Sequence, residues 1–122
     1  MTTTSNEMPH LVIEYSIGGH ERFDMTELMR ALHTAAASTG VVQAPDIKIR
    51  AIAYDDYLVA GVREDFCHVS VFLLQGRTPE QKLKLSESLR TGLSRMLPRT
   101  KSLSVDIRDM DASAYKKRLP PD

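Results

Sequence analysis

A chain of 122 residues in which 16 lysines and arginines balance 16 aspartates and glutamates suits one domain, burying roughly two-thirds of its unfolded surface. Zero formal charge gives no overall field for nucleic acid or an anionic membrane. No apolar run approaches the roughly 18 residues of a spanning helix, and the opening MTTTSNE lacks the basic and apolar regions of a signal peptide, so a cytoplasmic protein is expected. In chain order, HLVIEYS (10–16) alternates Leu11, Ile13 and Tyr15 with Val12 and Glu14, predicting a half-buried strand that begins directly after Pro9. DMTELMRALHTAAASTG follows a turn-like IGGH, and it predicts a helix opened by Asp24 or Thr26 and closed at Gly40. DIKIRAIAYDD then has strand periodicity, with Ile47, Ile49 and Ala51 on one face and Lys48, Arg50 and Ile52 on the other.

EDFCHVSVFLL is dense in β-branched and aromatic residues and predicts a third strand. It holds the single cysteine, Cys67, which excludes an internal disulfide and is expected to be a buried structural thiol. In QGRTPEQK, Thr78 can cap a helix, Pro79 suits its first turn and Gln81 completes a capping box. Leu85, Leu89, Leu93 and Met96 or Leu97 then recur at helical spacing until Pro98. SLSVDIRDM sets Leu103, Val105 and Ile107 against Ser104, Asp106 and Arg108, predicting a last strand before the polar arm DASAYKKRLPPD.

The order strand, helix, strand, repeated once, predicts an α+β domain of pseudo-duplicated βαβ-βαβ form, with both helices on one face of a four-stranded sheet. Residues 9–122 form that domain, and residues 1–8 are an N-terminal extension or a mis-assigned start. Val12, Ile52 and alternate residues of the third strand leave the second sheet face partly apolar, and no sequence remains to cover it. Self-association is the expected solution.

Gly-rich phosphate loops, paired cysteines, a helical His-x-x-x-His and a Gly-x-Ser-x-Gly elbow are all absent from the sequence. The four histidines, His10, His20, His33 and His68, are scattered, and metal binding is not expected of them. Pro9, Lys48, Arg50 and Arg77 remain as candidates. A proline opening a strand and two basic residues on a solvated face are also ordinary structural features. Arg77 stands before the capped helix, where a cation and helix amides can jointly hold an anion.

MPHLVIEYS, ALHTAAASTG, IKIRA, FCHVSVFLLQGRT, LSVDIRDMD and YKK, in that order, resemble 5-carboxymethyl-2-hydroxymuconate delta-isomerases of the tautomerase superfamily. The resemblance runs from Met8 to about Lys117, and MPHLVIEYS is its most specific block. It implies a homotrimer with active sites near subunit boundaries, and no metal or organic cofactor. It also implies that, once Met8 is removed, the Pro9 amine acts as general base. The family's paired basic residues fall on Lys48 and Arg50, and the arginine of its Gly-Arg-Ser/Thr turn falls on Arg77. Lys48 departs from the usual arginine, keeping the charge but losing the planar fork that grips a carboxylate twice.

The implied reaction converts a 2-hydroxymuconate-type dienol of aromatic catabolism to its conjugated ketone. Its substrate is a small carboxylated enol or keto acid. Such chemistry needs a base with a pKa near working pH. An α-amine starts at about 7.7 to 8.0, and neighbouring cations in an apolar pocket lower it further, whereas an internal proline nitrogen is an amide without basicity. Lys48, Arg50 and Arg77 would hold carboxylates and steady charge on the enol oxygen. Two other readings keep the fold: a phenylpyruvate-type tautomerase or decarboxylase, and a non-catalytic trimeric binding protein if residues 2–7 persist.

Overall fold

Residues 9–121 are described by a computed structural model; the expected extension over residues 1–8 lies outside them. Strand β1 (His10–Ser16) buries Leu11 and Ile13 completely, as their alternation predicts. Helix α1 (Met25–Ser38) starts at Asp24, whose side chain accepts from the backbone N–H groups of Thr26 and Glu27 at 2.8 and 3.3 Å. Strand β2 (Lys48–Tyr54) runs parallel to β1, from His10 opposite Lys48 to Ser16 opposite Tyr54. Strand β3 (Phe66–Leu74) is antiparallel to β1, with Phe72 opposite His10. Helix α2 (Pro79–Met96) carries the capping box between Thr78 and Gln81, and β4 (Ser102–Met110) returns parallel to β3. The resulting sheet order is β2-β1-β3-β4.

Both helices lie on one face of the sheet. Leu28, Leu32 and Ala36 of α1 and Leu85, Leu89 and Leu93 of α2 form one core with Leu11, Ile13, Val69, Val71 and Leu73 of the strands. Gly92 lets the helices approach, since a Cβ there would already lie 3.5 Å from a Leu32 methyl, and the Ser88 hydroxyl donates to the Ala35 carbonyl at 2.9 Å. Truncating any of these fully buried leucines to alanine removes packing worth about 2–5 kcal/mol.

The second face is more polar than the sequence pattern suggests. Val12, Ile52 and Phe72 stand on it among His10, Lys48, Arg50, Glu14, His68, Asp106 and Arg108. The strand alternation was legible, but the rows that cross the sheet depend on register.

The two ends of the sheet differ. At the end where β1 finishes, the buried Asp65 carboxylate accepts from the backbone N–H groups of His20 and Glu21 at 2.8 and 2.9 Å. It fills the space a Gly19 side chain would need, as a Cβ there would fall 1.8 Å from its oxygen. Asp65→Ala is expected to lower the unfolding free energy by about 2 kcal/mol, because it strands two donors. Urea unfolding checks this, and an unchanged midpoint would show that the loop over Gly18–Glu21 closes without it. The opposite end gathers the start of β1, the start of β2, the end of β3 and the C-terminal arm.

Candidate active site

Pro9 enters the sheet at that opposite end. It is buried, and its carbonyl accepts from the Lys48 backbone N–H at 3.0 Å, the first rung of the β1–β2 ladder. By the strand's alternation Pro9 shares the side of Leu11 and Ile13, whereas Lys48 and Arg50 are exposed on the outer face of the edge strand. Three of the four candidate residues thus meet at one end of the sheet, with proline and cations on different sides of it.

Arg77 also belongs to this end, in the loop between β3 and α2. Its half-buried guanidinium donates to the Leu74 carbonyl at 3.3 Å and to the Val41 carbonyl at 3.1 Å. It therefore ties the loop after β3 to the loop after α1, a fixed geometry for a cation beside the N-terminus of α2.

Electrostatics favour an anion on the outer face. Among the described residues the ion pairs are Lys82 with Asp109 at 2.8 Å and Arg108 with Asp106 at 2.7 Å, so neither Lys48 nor Arg50 has a carboxylate partner there. Arg50 instead donates to His10 Nδ1 at 3.1 Å. A shallow hollow of about 240 Å³ is lined by His10, Arg50, Phe72 and Met110. The arm borders a second, of about 360 Å³, lined by Leu74, Ala112, Tyr115, Lys116 and Lys117. Sequence reasoning gave His10 and Tyr115 no role. Their contact joins residues 105 positions apart, and no local spacing signals it.

Other groups are less suited to chemistry. Cys67 is buried in β3, and desolvation pushes its thiol up to about 12, so it stays protonated and unreactive near neutral pH. Among the described residues no group of three or more His, Cys, Asp or Glu side chains is placed to hold a metal ion. No helix among them is long and apolar enough to cross a membrane. A groove of about 690 Å³ between α1 and α2 includes none of the four candidates.

The chain matches the family described as 5-carboxymethyl-2-hydroxymuconate isomerase over residues 9–119. No curated protein matches it in sequence. Among solved structures it is similar to a 5-carboxymethyl-2-hydroxymuconate isomerase from Deinococcus radiodurans R1, at 22% identity and a TM-score of 0.82, covering 94% of this chain and 92% of that one. A fused 4-OT wild-type symmetric trimer, Q0, is 28% identical with a TM-score of 0.73, over 84% of this chain and 85% of the other. A 5-carboxymethyl-2-hydroxymuconate delta-isomerase is 18% identical with a TM-score of 0.75, over 93% and 89%. The first and last of these likenesses speak for the fold: two βαβ units in one four-stranded sheet.

Proposed function

The chain belongs to the 5-carboxymethyl-2-hydroxymuconate isomerase family, and on that premise we propose that it ketonises a 2-hydroxymuconate-type dienol with the Pro9 amine as general base. The observation that carries this reading is that Pro9, Lys48 and Arg50 all lie at the end of the sheet where β1 enters it, the proline on one side and the cations on the other, with Arg77 on the adjoining loop. In the proposed reaction the Pro9 nitrogen takes the enol O–H proton, leaving a dienolate. The resulting ammonium returns a proton to carbon, so the substrate is isomerised with no net gain or loss of atoms or electrons.

The cations have distinct tasks in this scheme. Lys48 and Arg50 attract substrate carboxylates, Lys48 as a point charge and Arg50 with a planar fork. Arg77, held by two carbonyls, adds a preorganised positive field for the oxygen that becomes negative. Needing no electron transfer and no Lewis acid, the scheme uses neither cofactor nor metal.

A homotrimer is part of the proposal. The outer sheet face carries Val12, Ile52 and Phe72, and Ile52 is 46% exposed; packing neighbouring copies against it would bury this apolar surface. The similar Q0 protein is described as a symmetric trimer.

A substrate panel tests the assignment on a chain that starts at Met8 and is trimmed to Pro9. Rapid ketonisation of a 2-hydroxymuconate, with phenylpyruvate turned over poorly, is expected. Preference for phenylpyruvate would move the protein to another activity of the same fold, and no turnover of either would favour a binding role.

A further inference from the structure

Three side chains from distant parts of the sequence form a relay across the outer face. Arg50 Nη1 lies 3.1 Å from His10 Nδ1, and His10 Nε2 lies 3.1 Å from the Tyr115 hydroxyl. The tyrosine ring meets the imidazole edge-on, with centroids 6.1 Å apart and planes at 71°. Donor chemistry assigns the protons. A guanidinium only donates, so Nδ1 holds a lone pair, the ring is neutral, and its proton sits on Nε2, which donates to the Tyr115 oxygen.

The surroundings favour that state. His10 is half-buried on β1, facing Lys48 and Arg50 from β2, with Phe72 from β3, Arg108 in the same row on β4 and Tyr115 from the arm. Burial foremost, then the positive fields of Arg50 and Lys48, hold its pKa below the usual 6.5. A neutral acceptor has a particular value to a binding cation. A carboxylate partner would fix Arg50 but cancel its charge, whereas an imidazole nitrogen fixes it and leaves the charge for a ligand. Arg50 is exposed on an edge strand, where a long side chain otherwise samples many rotamers.

We propose that His10 is a positioning residue: as its neutral Nε2–H tautomer, set in place by Tyr115, it holds the Arg50 guanidinium so that the remaining N–H groups meet a substrate carboxylate. This rests on the reading of Arg50 as a carboxylate-binding residue, but not on Pro9 as base.

The test therefore uses an unreactive dicarboxylate, glutarate, and reads binding by calorimetry on the 122-residue chain. His10→Ala is expected to weaken glutarate by about tenfold, the scale of one hydrogen bond to a charged group. Arg50→Ala should do the same, and the double variant should be no weaker than Arg50→Ala alone, because one residue acts through the other. His10→Asn, whose amide oxygen can stand near the Nδ1 position, should recover most of the affinity, and Tyr115→Phe should lose part of it. Nitrogen NMR of the unsubstituted chain should find the Nε2–H tautomer titrating below 6.5. Additive losses, an Nδ1–H tautomer, undiminished binding by His10→Ala, or no glutarate binding by the unsubstituted chain would each overturn the proposal. Glutarate binding that follows the expected cycle, with no ketonisation by the chain trimmed to Pro9, would instead uphold His10 and sink the catalytic reading.

Discussion

Pro9→Ala, in a chain that starts at Met8 and loses it, is expected to reduce kcat for 2-hydroxymuconate ketonisation about a hundredfold or more, the usual contribution of a positioned general base. Alanine still offers an amine. That amine is primary and rotates freely about its Cα, whereas the pyrrolidine ring fixes the direction of the nitrogen lone pair. The fold should be untouched, because the rung from the Lys48 N–H to the carbonyl of residue 9 needs no proline side chain. Steady-state kinetics with a size measurement decides the point. Unchanged turnover in a folded protein of unchanged size would remove Pro9 from the mechanism.

Arg77→Ala should raise KM for a dicarboxylated substrate by about tenfold, the cost of losing a charged hydrogen-bonding partner. The geometry demands a control, since the same guanidinium bridges the Leu74 and Val41 carbonyls, and losing the bridge alone could loosen both loops. Comparing substrates with one and two carboxylates separates the two effects. A selective loss on the second carboxylate marks recognition; an equal loss on both, together with a lower urea midpoint, marks a structural brace. Arg77→Lys sharpens the comparison by keeping the charge without the planar fork.

Much of this architecture could be read from periodicity. Leu11 and Ile13 alternate because β1 has one buried face, and Leu85, Leu89 and Leu93 recur because α2 has one buried stripe. Thr78 and Gln81 announced a helix start whose hydrogen bonds are purely local. What periodicity does not carry is the meeting of polar side chains from distant segments. Asp65 locks the loop after β1 from the start of β3, and nothing in its neighbourhood in the chain marks it. His10 reads as an ordinary strand residue until the β1–β2 register sets it beside Arg50 and the arm brings Tyr115 to it. Pro9, Lys48, Arg50 and Arg77 stand out by residue type and by resemblance. The division of proline and cations between two sides of the sheet emerged only from the register.

The chemistry proposed for Pro9 depends on a free amine, because a proline nitrogen inside the chain is an amide that cannot take a proton. The most direct test is intact mass and N-terminal sequencing of the protein made from its own gene, paired with a ketonisation assay on the same sample. An active chain whose first residue is Pro9 is the predicted result. An equally active chain beginning at Thr2 would contradict it, because the base would then have to be another group.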